Sequence, residues 1–263
     1  MFNCTPSCSR RSPLRAVLRL TLALTLALAL PLSAAGAEKE WSNTYSLAAD
    51  GRIALSNVNG DVTITGWDGD EVLVEATIRG SESSLDKVEI DVDARPESLE
   101  IETRYPRNDR GWGSNNAEVE YRLQVPRRAN LDEISLVNGS LDVRDVAGDV
   151  EASLVNGSIE AGGLAGDAEL ATVNGGIVLE VVRLGGDQRL EIDSVNGSIE
   201  LVLPASADAE VRAETVHGAI RNEFGLEVDR DGIVGQELRG TVGAGGGLVS
   251  LENVNGSIEI RRN

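Results

Sequence analysis

Only two cysteines occur among the 263 residues, Cys4 and Cys8, and there is one histidine, His217. Lysine is confined to Lys39 and Lys87, and aromatic residues make up 3% of the chain. Neither a Cys/His metal site nor an aromatic-rich core is therefore available. No apolar run reaches the roughly 20 residues that a membrane-spanning helix needs, and no sustained amphipathic helical pattern occurs. Positive charge is scarce as well: 24 Lys+Arg against 43 Asp+Glu give a net charge of −19. So acidic a chain repels nucleic-acid phosphates and anionic lipid headgroups, and nucleic acid is not an expected partner.

What is present begins with an address. Arg10, Arg11, Arg15 and Arg19 precede LTLALTLALAL (Leu20–Leu30), then Pro31 and a small-residue stretch ending Ala35-Gly36-Ala37. This order of basic, apolar and small residues is that of a secretory signal peptide over 1–37, cut before Glu38. Both cysteines lie upstream of the apolar run, so neither is placed as the lipid-bearing residue of a lipoprotein. Cleavage removes both, together with these four arginines, and makes the mature chain more acidic still. Disulfides and thiol catalysis are thereby excluded, no transmembrane anchor follows, and the expected location is the periplasm or cell surface.

The remaining chain repeats one short phrase. Val-Asn-Gly recurs with its Asn at positions 138, 156, 174, 196 and 255, and Val216-His217-Gly218 fills the same slot. The first steps are nearly equal, and Gly148-Asp149, Gly166-Asp167 and Gly186-Asp187 fall between them as a second marker. An isolated Asn-Gly between apolar residues reads as a hairpin turn. A fixed period of about 20 residues instead marks a stack of like units. In an antiparallel meander, neighbouring strands have no reason to carry the same words. In an all-β solenoid with coils of about 18–22 residues, each position packs on its equivalent about 4.8 Å away. That predicts an inward row of Ile159, Ile177, Ile199 and Ile258, an outward row of Asp142, Glu160, Glu200 and Glu259, and a structural corner row of Asn59, Asn138, Asn156, Asn174, Asn196, His217 and Asn255. Asn and Gly suit a corner that enters the left-handed region, and stacked Asn amides can hydrogen-bond along the row.

The segment before residue 131 reads differently. IALSNVNGDVTIT (Ile53–Thr65) aligns with VSLENVNGSIEIR (Val249–Arg261), so a first repeat-like coil lies near 50–66. EVLVEATI (Glu71–Ile78), KVEIDVDARPESLEIETRY (Lys87–Tyr105) and AEVEYRLQVP (Ala117–Pro126) read as antiparallel β-hairpins inserted after it. The expected organisation is a signal peptide (1–37), an N-terminal β region (38–130) and β-solenoid repeats (131–263). The stretch from His217 to Asn255, about twice the period, would hold one degenerate or expanded unit. Because the chain stops soon after Ser257-Ile258, its last strand would be an open edge, guarded by Arg261 and Arg262 and a route to self-association.

Residues for catalysis are few. His217 occupies a corner slot, no Ser-His-Asp set can be assembled around it, and the acids are spread evenly over the repeats. Asp229-Arg230-Asp231-Gly232 is a turn that lacks the third acidic position and distant Glu of a calcium loop. No catalytic, cofactor or metal residues are assigned, although parallel β-helices do include carbohydrate-active enzymes. The N-x-[ST] sequons at Asn138, Asn156, Asn196 and Asn255 are explained by the corner. The best contact candidate is YPRNDRGWGSNN (Tyr105–Asn116), where Arg107, Arg110 and Trp112 stand among turn-forming residues.

The export signal, the strand closing on Leu123-Gln124-Val125-Pro126, LDEISLVNGSLDV (Leu131–Val143) and NVNGSIEI (Asn253–Ile260) together resemble a bacterial envelope family of unknown function labelled "putative adhesin". The resemblance covers essentially the whole mature chain. It implies a right-handed parallel β-helix at the cell surface or in the periplasm, an envelope or surface partner, and no catalytic residues. The expected function is thus a non-enzymatic envelope interaction module, with a self-assembling structural or regulatory periplasmic protein as the alternative and a carbohydrate-active β-helix enzyme as a minor one.

Overall fold

The computed structural model describes residues 37–105, 117–230 and 235–263. The expected contact residues Arg107, Arg110 and Trp112, and the signal segment before Ala37, lie outside them. The described chain runs β1 (Ala37–Ser46), β2 (Arg52–Asn59), β3 (Val62–Trp67), β4 (Glu71–Gly80), the single turn α1 (Glu82–Leu85), β5 (Glu89–Arg95), β6 (Ser98–Arg104) and β7 (Glu118–Pro126). Strands then come in pairs: β8 (Asn130–Asn138) with β9 (Leu141–Arg144), β10 (Val150–Asn156) with β11 (Ile159–Leu164), and β12 (Ala168–Asn174) with β13 (Ile177–Val181). The pairs β14 (Arg189–Asn196) with β15 (Ile199–Leu203) and β16 (Ala209–His217) with β17 (Ile220–Asn222) follow. After β18 (Val228–Asp229) and β19 (Gln236–Val242), the chain ends with β20 (Gly247–Asn255) and β21 (Ile258–Arg262).

These strands form two large, mostly parallel sheets, one of 11 strands and one of 10. In each repeat the first strand of the pair joins the larger sheet and the second joins the smaller. Val-Asn-Gly therefore turns the chain from one sheet to the other and is not a hairpin turn. Equivalent positions pair in parallel: Ile159 opposes Ile177, Ile177 opposes Ile199, and Ile199 opposes Ile258. All four are buried, each worth roughly 1.5–3 kcal/mol relative to exposure. The outward acids fall in register too, but Val178 interrupts them between Glu160 and Glu200. Arg144 bridges Asp142 at 2.6 Å and Glu160 at 3.2 Å, and Arg261 reaches Glu200 at 2.6 Å.

The segment 67–130 differs in part from the expected hairpins. β5 and β6 do form an antiparallel hairpin, and β4 is antiparallel to both β1 and β7. Yet β6 runs parallel to β2, and β7 parallel to β3, so the segment prolongs the two sheets. Buried Tyr121 fills this end, its hydroxyl 2.7 Å from Thr103 Oγ1, and burial pushes its ionisation well above that of an ordinary tyrosine.

The order of repeats corrects the expected open C-terminal edge. β21 is hydrogen-bonded to β15 on one side and to β17 on the other, and β20 lies between β14 and β16. The last repeat in sequence is thus an interior repeat in space. The residues between His217 and Asn255 are not a degenerate unit of the stack. They supply β18 and β19, with β19 antiparallel to β16, and carry the chain back to the interior slot. The larger sheet ends at β18 and the smaller at the three-residue β17.

The corner geometry corrects another expectation. Asp145 (φ 57°) is the only described non-glycine residue with positive φ, so no corner Asn enters the left-handed region. Glycine is needed at the corner for closeness. A Cβ on Gly175 would lie 2.0 Å from the carbonyl oxygen of Gly157, and one on Gly197 would lie 1.8 Å from that of Gly175.

Candidate functional site

All seven residues of the predicted corner row stand side by side, in the spatial order Asn59, Asn138, Asn156, Asn174, Asn196, Asn255, His217. Each Asn amide from Asn138 to Asn255 donates from Nδ2 to the Oδ1 of the preceding Asn at 2.9–3.0 Å. His217 ends the row opposite Asn255. Every amide in this ladder points the same way, and from Asn138 to Asn196 each both donates and accepts within the row.

Two residues before each corner Asn or His the side chain points inward; Leu136 and Leu154 enter the core, and the other five are polar residues that secure the corner. Thr172 Oγ1 donates to the Gly157 carbonyl at 3.0 Å, Ser194 Oγ to Gly175 at 3.2 Å, Asn253 Nδ2 to Gly197 at 2.7 Å and Thr215 Oγ1 to Gly256 at 3.0 Å. Asn57 does the same for Gly60 at 3.2 Å and also donates to Val119 at 2.8 Å. Tyr105 donates to Asn57 Oδ1 at 3.2 Å, and burial pushes its hydroxyl up to about 12.

With that residue fixed inward and the Asn held in the ladder, the valine between them must face out. Val58, Val137, Val155, Val173, Val195, Val254 and Val216 form a continuous stripe across seven strands, each 39–43% exposed. At about 4.8 Å per strand the stripe is about 29 Å long. An aligned row of exposed valines makes this face the candidate contact surface. They line one side of an open trough of about 740 Å³. Its floor is the next outward row: Glu102, Ser56, Ser135, Ser153, Ala171, Asp193, Glu252 and Glu214 in register. The middle is small and uncharged. At one end Glu102 is paired with Arg104 at 2.7 Å, and the other end gathers three acids.

Charge is left open at that acidic end. Asp193 and Glu252 lie directly opposite each other and neither forms an ion pair among the described residues, whereas Asp142, Glu160 and Glu200 on the other sheet are all matched by arginines. Partial burial, followed by the nearby charges of Glu252, Glu191 and Glu169, raises the Asp193 carboxyl above the usual carboxylate range. Glu214 is held loosely by Arg212 at 3.5 Å. No group of three or more His, Cys, Asp or Glu among the described residues is arranged to hold a metal ion, and no described helix is long and apolar enough to cross a membrane.

The sequence reading singled out the asparagines of this phrase and missed its valines. The signal was there: strand alternation with Leu136 and Leu154 inward puts Val137 and Val155 outward, and valine keeps that slot every time Val-Asn-Gly recurs.

No protein-family model and no curated protein matches the sequence. Among solved structures, a "putative cell adhesion protein" from Clostridium sporogenes aligns with TM-score 0.54 and 18% identity, over 86% of this chain and 100% of its own. A "putative adhesin" from Bacteroides fragilis aligns at TM-score 0.38 and 12% identity, over 86% and 97%. A "Putative lipid binding protein" from Parabacteroides distasonis aligns at TM-score 0.33 and 13% identity, over 87% and 98%. The likeness to the first is one of fold.

Proposed function

We propose that this chain is an exported, non-enzymatic β-solenoid that serves as an adhesin-like interaction module of the bacterial envelope or cell surface. The valine stripe carries the reading: a folded chain of net charge −19 has no solvation reason to display seven aligned apolar side chains. Support for the architecture comes from the parallel, in-register repeats and from the fold likeness to the clostridial cell adhesion protein. Export rests on the arginine-leucine leader of the sequence. The trough wall and floor are built on hydrogen-bonded strands, so the surface is rigid, as a docking face should be.

The test compares binding of the purified mature chain and a Val155→Lys/Val173→Lys variant to isolated envelopes of its own cells. Fractionation and N-terminal sequencing accompany it. The expected result is a mature N-terminus near Glu38, saturable envelope binding, and its loss in the variant while circular dichroism stays unchanged. Equal binding by both proteins, or none by either, would overturn the reading.

A further inference from the structure

We propose that the occupant of the trough is a cationic amphipathic α-helix of a polypeptide partner, laid across the strands along the valine stripe. This rests on the interaction-module reading and narrows it to one partner chemistry.

The surface itself selects that chemistry. Its length of about 29 Å matches about 19 helical residues at about 1.5 Å each, or five turns. Its floor lies in the interior of the sheet, from β2 to β16, where every strand already has a neighbour on both sides. No free backbone donors or acceptors remain there for an added strand. A helix, which satisfies its own backbone, suits such a groove; an extended segment does not. The valines and the small floor residues Ser135, Ser153 and Ala171 fit an apolar helical stripe.

Charge fixes the rest. Asp193 and Glu252, with Glu214 beside them, close one end of the trough, and the first two have no cation of their own among the described residues. Lysine or arginine at the matching end of a helix would relieve their mutual repulsion and complete the electrostatic match. A second copy of this chain brings the same acids and the same net charge of −19, and an anionic lipid surface is repelled likewise.

The test titrates the folded mature chain with a synthetic helix of about 19 residues carrying leucine and alanine on one face and lysines gathered at one end. Controls are a scrambled peptide of the same composition and a peptide with glutamate in place of lysine. Binding is read by fluorescence anisotropy at low and high salt. The expected result is saturable one-to-one binding of the first peptide only. Val155→Lys/Val173→Lys should weaken it at least about tenfold. Asp193→Asn/Glu252→Gln, which leaves the apolar stripe untouched, should weaken it about three- to tenfold and flatten its salt dependence. Equal binding of the scrambled peptide, or indifference to either variant, would overturn the proposal. Stripe-dependent self-association in sedimentation, or stripe-dependent flotation with phosphatidylcholine vesicles without peptide binding, would assign the trough to another occupant and overturn it too. Wild-type envelope binding that persists when the helix peptide fails would sink the helix alone and leave the interaction module standing.

Discussion

Replacing Gly175 by alanine separates two reasons for a corner glycine. Its added Cβ would lie 2.0 Å from the Gly157 carbonyl oxygen and 2.5 Å from the carbonyl carbon, both backbone atoms that no rotamer change can move. The two repeats would have to part at this corner. The four closest hydrogen bonds that join them there are Gly157 N to Asn174 O at 3.0 Å, Ile159 N to Gly176 O at 3.0 Å, Asn174 Nδ2 to Asn156 Oδ1 at 2.9 Å and Thr172 Oγ1 to Gly157 O at 3.0 Å. At about 1 kcal/mol each, loosening them costs about 4 kcal/mol, at the upper end of what forcing an extra methyl into a filled space costs. Gly186 provides the contrast. It has φ +66° and nothing within 4 Å of its would-be Cβ, so alanine there costs only the left-handed penalty of about 1–2 kcal/mol. Guanidinium unfolding followed by far-UV circular dichroism measures both. A shift in midpoint without a change in slope assigns the loss to the native state. Should Gly175→Ala cost less than Gly186→Ala, crowding between repeats would not be what requires glycine.

Three further outcomes are expected. Asn174→Ala removes two ladder bonds and should cost about 1–2 kcal/mol in the same assay. Asn174→Asp should cost more at neutral pH, because a carboxylate then faces Asn156 Oδ1, and should recover as acid protonates it and restores a donor. Asp193→Asn should stabilise the protein at neutral pH. The folded carboxyl titrates above its ordinary range, so its penalty applies above that folded value and fades as pH falls through it. Wild type and variant should converge by about pH 4, read as midpoints in a pH series. Deleting residues 247–263 removes β20, which lies between β14 and β16, and β21, which lies between β15 and β17; the truncated chain should lose protease resistance in β16–β19 and elute as aggregates. Retention of a compact, resistant stack through Asn222 would instead mean that these strands are peripheral.

Much of the stack was legible in the sequence because its determinants are local and repeated. The near-constant step between corners, the isoleucines and the asparagines all follow from which words recur. Which repeat sits beside which did not follow, since Asn255 presents the same corner to Asn196 as to His217. A clue existed nonetheless. NVNGSIEI at the C-terminus keeps the interior wording, whereas TVHGAI around His217 has drifted from it, as terminal repeats do. The reason for glycine was also hidden, because contact between residues one repeat apart leaves no mark on either residue alone. The valine stripe was legible by alternation and was overshadowed by the polar residue next to it.

The asparagine row has a consequence for how the protein ages. Asn-Gly is the peptide pair most prone to lose ammonia: the glycine nitrogen attacks the asparagine side-chain carbon, a succinimide closes, and water opens it to aspartate or isoaspartate. The chain carries this pair at six corners, from Asn59-Gly60 to Asn255-Gly256. At every one the glycine N–H is engaged by the corner carbonyl of the neighbouring repeat, at 2.9–3.1 Å, and the ladder bonds restrict the rotation of the Asn side chains. Folding therefore protects chemically what the sequence leaves vulnerable. The chain can keep six fragile bonds as long as its repeats stay stacked, and the first corner to open is the first to be marked by age.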